Sequence, residues 1–418
     1  MKRFYGWYLI AVLWFVYFTN LGFVYYGGNL VNTFMVKELG MSRSTLGLGY
    51  TIFMYLQGGF MGPLIALVIN KKGIRFSLAL GCFLVFTGSL LMATWVSGKA
   101  GYFAVFGVMM GLGVGFGGIL PVQTGAALWF KRKRALALSI VLTAAGIGGF
   151  AAAPSITALI GMSGGSWRHG WLGVALFAGI SFFLSLLFVR NRPSDLGQAP
   201  DGGETAPARE VSPSAPGVHR TDRVWTLKEA LSTGALWCVF IGIICLLVPY
   251  TFCVGHGVIH LLDRGFSREL ASLSLGLVTL FSIAGRLVGG VLGDRFEPRK
   301  IWAAAMLVCC GGLTAIMNAH SPMSVYLYAG LLGTGFGMAF VQLPAMVANY
   351  YGADALPTVL GTLSPVYAVF TATAPFAAGL LYDTVGGYGA AFAGSIVLLL
   401  AGTAALLMAR PPAETASR

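Results

Sequence analysis

Arg286 lies in the middle of the apolar run SLSLGLVTLFSIAGRLVGGVLG, residues 272–293. A cation near the centre of a bilayer costs at least about 2.5 kcal/mol even on lenient scales. Such an arginine needs a partner acid, a wet cavity or a bound anion. The chain has 14 Asp and Glu, and all of them fall in polar segments or at the ends of apolar runs. The nearest in sequence, Asp294, is about 12 Å away along a helix, too far for a direct pair. Two readings stay open: the arginine snorkels to a surface, or the missing anion is the substrate. A guanidinium offers two parallel donors that match a carboxylate. One such cation balances one carboxylate, whereas a dicarboxylate would leave a charge uncompensated in a low-dielectric site.

Other polar groups in apolar runs are fewer. His256 and His260 share a helical face but lack a third ligand, so no metal is expected there. A histidine can change charge near neutral pH; His256 is a candidate proton-coupling group or a neutral histidine bonded to a backbone carbonyl. Tyr25, Tyr26, Asn29 and Asn32 gather in the first apolar run, and Asn29 either faces a pocket or bonds a neighbouring helix. Phe336 and Phe340 also share a face. Gln123 and Gln342 are weaker polar candidates. Gly113, Gly115 and Gly118 fit a dinucleotide fingerprint, but that motif needs a preceding strand and a later acid; inside an apolar run they read as helix-packing glycines. The six cysteines all sit in apolar runs without metal-ligand spacing. No nucleophile–base pair or phosphate loop is present, so no catalytic residue, cofactor or enzyme activity is expected.

These residues need elements that hold them in lipid. The chain of 418 residues is 57% hydrophobic and 10% charged, against about 25% charged in soluble domains; its mean hydropathy is +0.79. The net charge of +13 suggests nucleic acid, but a binder needs a soluble basic face, and none is expected here. A spanning helix takes roughly 20 apolar residues, which predicts twelve spans: 7–35, 44–69, 76–97, 101–129, 136–162, 170–189, 232–262, 269–293, 301–319, 325–350, 358–384 and 390–409. These runs are too long and too uniform for barrel strands. The expected fold class is an all-α membrane protein with twelve transmembrane helices. No cleavable signal peptide is expected, because the first run is too long and lacks a cleavage pattern. Lys71, Lys72 and Arg75, then Lys131, Arg132, Lys133 and Arg134, then Arg295, Arg299 and Lys300 fall in loops on the same side as both termini. Lys37, Arg43, Lys99, Arg168, Arg264 and Arg268 fall opposite. The bias places both termini in the cytoplasm.

A polar stretch rich in Pro, Gly and Ser follows the sixth span, which predicts a six-helix bundle over 1–190, a cytoplasmic linker over 191–230 and a second bundle over 231–418. GVGFG (Gly113 to Gly117) is echoed by GTGFG (Gly333 to Gly337), and LGMSRS (Leu39 to Ser44) by RGFSRE (Arg264 to Glu269). Parallel six-helix repeats with a substrate site near the membrane midplane are a transporter architecture.

The two bundles and long linker resemble the major facilitator superfamily. GDRFEPRK (Gly293 to Lys300) is similar to that superfamily's loop motif; its counterpart INKKGIR has Asn70 where an acid is usual. WFKRKRALALSIVLTAAG (Trp129 to Gly146), YGW (Tyr5 to Trp7) and NLGFVYYGGNLVNTF in the first span resemble the proton-linked monocarboxylate transporters, whose bacterial relatives include the oxalate–formate exchangers. The resemblance implies that Arg286 binds substrate carboxylate. It also implies that Phe336 and Phe340 match the aromatics flanking substrate in the exchangers, and that Asn29 stands where the animal transporters have a lysine. Tyr367 stands at the exchangers' second cation, and Ser282 where a proton-handling aspartate is usual. With one cation retained, a monocarboxylate is favoured, and Tyr367 can still donate a hydrogen bond.

The expected function is symport of a small monocarboxylate such as lactate or pyruvate with a proton, by alternating access. The expected binding set is Arg286, Tyr367, Asn29, Tyr25, Tyr26, Phe336, Phe340 and Gln123, with His256 for the proton. The partners are the substrate, protons and the lipid bilayer, with the chain acting as a monomer in a bacterial inner membrane. An organic-anion exchanger of the oxalate–formate type is the alternative. A cationic-drug exporter would carry buried acids, and a sensor would need a signalling domain.

Overall fold

The computed structural model describes residues 4–202, 218–223 and 225–413, without the side chains of Asn29, Thr33, Val36, Lys37, Arg43, Ser44 and Ala153. The centre of the expected linker, 203–217, thus lies outside the described residues. Those described form helices and connections, with no strand among them. In the first half these are α1 (Gly6–Tyr17), α2 (Gly28–Leu39), α3 (Arg43–Met54), α4 (Gly62–Thr94), α5 (Lys99–Tyr102), α6 (Gly111–Gly117), α7 (Ile119–Trp129), α8 (Arg134–Met162) and α9 (Trp167–Phe188). In the second half come α10 (Leu227–Leu231), α11 (Gly234–Asp263), α12 (Arg268–Arg295), α13 (Pro298–Met317), α14 (Pro322–Tyr351), α15 (Leu356–Val385) and α16 (Gly389–Met408).

Eleven helices among the described residues are long and apolar enough to cross a membrane. The expected span 44–69 is not one of them, because it is broken. It runs through α3 and a π-helical turn, Tyr55–Gly59, and re-enters helix at Gly62. Pro63 has no N–H to give the Gly59 carbonyl, so the helix restarts with proline in its first turn. It then runs on into the next expected span as α4, whose one non-helical residue is Gly73 at φ 81° and ψ 169°. That φ is open to glycine, and a Cβ there would strike the Asn191 side chain. Continuous π-helical segments also join α1 to α2 (Phe18–Gly27) and α5 to α6 (Phe103–Met110).

The chain divides into two compact units. The first is Met1–Lys131, Ile140–Arg209 and Pro357–Pro365; the second is Arg132–Ser139, Glu210–Leu356 and Val366–Arg418. Each packs its helices through glycine. In the first unit a Cβ on Gly81 would meet the Gly117 backbone, so α4 and α6 touch main chain to main chain. In the second, Gly285 and Gly289 of α12 lie against the backbones of Thr334 and Met338, while Gly333 and Gly337 of α14 lie against the Val278 and Ser282 carbonyls. Small residues permit this approach, which drives helix association in lipid through dispersion.

Helix ends are closed by polar groups. Ser267 accepts from the Leu270 N–H, and Thr226 with Glu229 forms a capping box on α10. At the end of α2, Glu38 accepts from Trp167 Nε1 (2.6 Å) and from Arg168, whose guanidinium lies over the Trp167 ring. The Arg168 hydrogen bond holds the Glu38 carboxyl below its ordinary range.

Valine at Gly337 should destabilise the chain by about 1–3 kcal/mol through overpacking, read as a lower thermal midpoint in detergent. Alanine at Gly276, which faces open space, should leave the midpoint unchanged. Because Glu38 is depressed in the folded state, its contribution is present above the ordinary carboxylate pKa and fades as pH falls through the lower folded value. Melting scans between pH 6 and pH 3 should therefore show a smaller acid-induced drop for Glu38→Gln than for the unaltered chain.

Candidate functional site

The close glycine packing of α12 on α14 sets the position of Arg286. A Cβ on Gly337 would meet both the Ser282 carbonyl and the Arg286 backbone nitrogen. The arginine therefore leaves α12 directly beside α14. Its side chain is 8% exposed. The guanidinium carbon lies 5.6 Å from the centroid of the Phe340 ring, within cation–π range.

Phe340 begins a row of rings. It stacks on Phe336 at 5.5 Å and 26°, and Phe336 stacks on Tyr250 of α11 at 3.5 Å and 8°. Phe336 is 5% exposed and Phe340 is half-buried. Tyr250 was not singled out in the sequence; the only signal is an aromatic directly after Pro249 within an apolar run.

The remaining polar groups of α12 and α14 are engaged in structure. Gln342 Nε2 donates to the Gly289 carbonyl of α12 (2.9 Å), tying the two helices together, and to the Met338 carbonyl of its own helix (3.1 Å). Ser282, where the resemblance implies an aspartate, is buried and donates to the Thr279 carbonyl (2.8 Å). Asp294 accepts from the N–H groups of Ala135 (2.8 Å) and Leu136 (3.0 Å) at the start of α8. A carboxylate there is favoured by the helix dipole. Glu297 accepts from the Tyr350 hydroxyl (2.7 Å) and the His219 N–H (3.0 Å). Both acids of GDRFEPRK thus serve ends and connections. Every acidic side chain among the described residues lies at a helix end, in a short terminal helix or in a connecting segment.

Tyr367, on α15, is half-buried, and its hydroxyl makes no hydrogen bond to a described residue. His256 of α11 spans two partners: Nε2 lies 2.9 Å from the Pro375 carbonyl and Nδ1 2.9 Å from the Tyr388 hydroxyl. A carbonyl only accepts, so Nε2 carries a proton and, in the neutral ring, Nδ1 accepts from Tyr388. His260 is buried, with Nε2 3.1 Å from the Ile316 carbonyl. Nothing in sequence spacing points to Tyr388, which lies far along the chain from His256.

In the first unit, Tyr25 packs edge-on to Tyr26 (4.8 Å, 85°) and near Tyr50 (5.7 Å). Tyr26 is 45% exposed and lies against Gly149. Asn32 Nδ2 donates to the Tyr102 hydroxyl (3.3 Å), a bond between helices. Gln123 is buried on α7. The side chain of Asn29 lies outside the described ones. Asn20, also not anticipated, is fully buried and donates to the Gly117 carbonyl (2.8 Å). The signal for it is Pro121, which has no N–H to give that carbonyl.

Of the expected binding residues, the structure brings Arg286, Phe340 and Phe336 into one row within the second unit. Tyr25 and Tyr26 meet within the first. His256 stands with Tyr388 and Pro375.

Comparison with known proteins gives these residues a setting. The chain is 27% identical over 354 residues to monocarboxylate transporter 12 of Rattus norvegicus, covering 79% of this chain and 70% of that one. It is 27% identical over 338 residues to a glycerol-3-phosphate transporter of Bacillus subtilis, covering 77% and 73%. The structure matches that of the E. coli fucose:proton symporter with a TM-score of 0.70 at 14% identity, over 98% of this chain and 100% of that one. A family model described as Major Facilitator Superfamily matches residues 13–317 and 257–418. The chain belongs to the Major Facilitator Superfamily: it is a multi-pass, all-α membrane transporter and not an enzyme.

Proposed function

We propose that this transporter carries small monocarboxylates of the lactate and pyruvate kind, with a proton, by alternating access of two six-helix bundles, 1–190 and 231–418, joined by the linker 191–230. The observation that carries this reading is Arg286: a guanidinium on a membrane-spanning helix, beside an aromatic ring, while the acids lie at helix ends and in connections. A carboxylate supplies the bidentate acceptor such a group is built to hold, and Phe340 supplies an apolar face for a short acyl chain. Similarity to a monocarboxylate transporter over 79% of the chain supports the substrate class. Tyr367, half-buried on α15, is a second donor for the same ligand. Tyr25, Tyr26, Gln123 and Asn29 stand as candidates from the first unit.

For the proton, His256 is the candidate. Protonating Nδ1 would make both ring nitrogens donors, so the Tyr388 hydroxyl would have to turn from donor to acceptor. The protein is proposed to act as a monomer in a bacterial inner membrane with both termini in the cytoplasm. Exchange of organic anions is the alternative, favoured by the neutral side chain at Ser282, where a proton-handling acid is usual in the family it resembles.

Proteoliposomes test these assignments. Labelled lactate should accumulate when the outside is made acidic, and uptake indifferent to the pH gradient but stimulated by internal anion would favour exchange. Arg286→Ala should lower uptake at least a hundredfold and Arg286→Lys by less; undiminished uptake by the alanine variant would refute the arginine's role. His256→Gln should flatten the pH dependence of net uptake while leaving lactate–lactate exchange within about twofold.

A further inference from the structure

We infer that Tyr250 is a positioning residue that sets the acyl-chain length this transporter accepts, an inference that rests on the carboxylate reading above. The row Tyr250–Phe336–Phe340 is continuous, with centroid separations of 3.5 and 5.5 Å, and ends at the Arg286 guanidinium 5.6 Å from the last ring. Tyr250 comes from α11, the two phenylalanines from α14 and the arginine from α12, so three helices meet in one line of contacts.

Phe336 is the middle of that row and is 5% exposed. With its face covered by Tyr250, it cannot itself receive a ligand there; its effect is to back Phe340, which is half-buried. The carboxylate end of a substrate held by Arg286 would have Phe340 beside it, so the distance between guanidinium and ring fixes how much acyl chain fits. Among the described residues, Tyr250 is the ring stacked on Phe336 from α11. α14 itself cannot shift toward α12, because Gly285, Gly289, Gly333 and Gly337 already place the two main chains in contact.

The ring, not the hydroxyl, makes the stacking contact with Phe336. Removing it leaves a ring-sized void that buried aromatics fill only by leaving their rotamers. Phe336 then tips toward α11, Phe340 follows, and the space beside Arg286 lengthens. The row is also a poor candidate for mere core packing, since its last member is a charged group on a spanning helix.

The experiment is uptake of labelled monocarboxylates of two to six carbons by proteoliposomes holding the unaltered chain, Tyr250→Phe, Tyr250→Leu or Tyr250→Ala, with KM and kcat measured for each acid. Tyr250→Phe should keep the ratio of kcat/KM between the six-carbon and three-carbon acids within about twofold of the unaltered chain. Tyr250→Ala should raise that ratio at least tenfold, mainly through KM for the longer acid. Tyr250→Leu, which keeps bulk but loses the flat face, should raise it severalfold and carries the test if the alanine variant fails to reach the membrane. An unchanged ratio in Tyr250→Ala or Tyr250→Leu, whatever the overall rate, overturns this inference and leaves the carboxylate reading standing. Absence of saturable carboxylate uptake by the unaltered chain overturns both.

Discussion

Burying one guanidinium among apolar helices is the constraint around which the second unit is organised. The cost at bilayer depth is at least about 2.5 kcal/mol, whereas a ring beside a cation contributes about 0.5–2 kcal/mol. Phe340 therefore offsets part of the cost, and a polar surrounding or an anion must supply the rest. The two oxygens of Asp294, the nearest acid in sequence, accept from the start of α8.

The arginine is held in place by glycine packing. α12 and α14 touch along Gly285, Gly289, Gly333 and Gly337, and Gln342 adds one hydrogen bond across the same contact, to the Gly289 carbonyl. In lipid no hydrophobic force presses helices together, so close main-chain packing and side-chain hydrogen bonds carry the association. The pair then behaves as one rigid support on which Arg286, Phe336 and Phe340 keep a fixed spacing.

The helical class and most spans were legible because apolar length is a strong signal in a chain with so few charges. Arg286 was legible for the same reason: one cation stands out in a run of Leu, Val and Gly. The echo of GVGFG in GTGFG pointed to packing, and Gly117, Gly333 and Gly337 do pack. The break in the expected span 44–69 was not read, because hydropathy is blind to the missing N–H of Pro63. Tyr250 and Tyr388 were hidden for another reason. Each acts through a residue distant in sequence, and neither periodicity nor composition reports which helix lies beside which.

Proline supplies a rule that connects several of these misses. Within lipid a carbonyl deprived of its helical donor must find another. Pro121 cannot donate to the Gly117 carbonyl, and Asn20 does so instead at 2.8 Å. Pro365 cannot serve the Gly361 carbonyl, and Ser364 Oγ donates to it at 2.9 Å. Pro375 cannot serve the Thr371 carbonyl, and Thr251 Oγ1 reaches it from α11 at 3.3 Å. Pro375 also offers its own carbonyl to His256, one helical turn further along α11. Two side-chain bonds from α11 therefore meet α15 at one proline. They do so where α15 has already lost an internal hydrogen bond, and a helix bends most easily at such a point. α15, which also carries Tyr367, is thus held to α11 near its proline by side chains rather than by its own backbone.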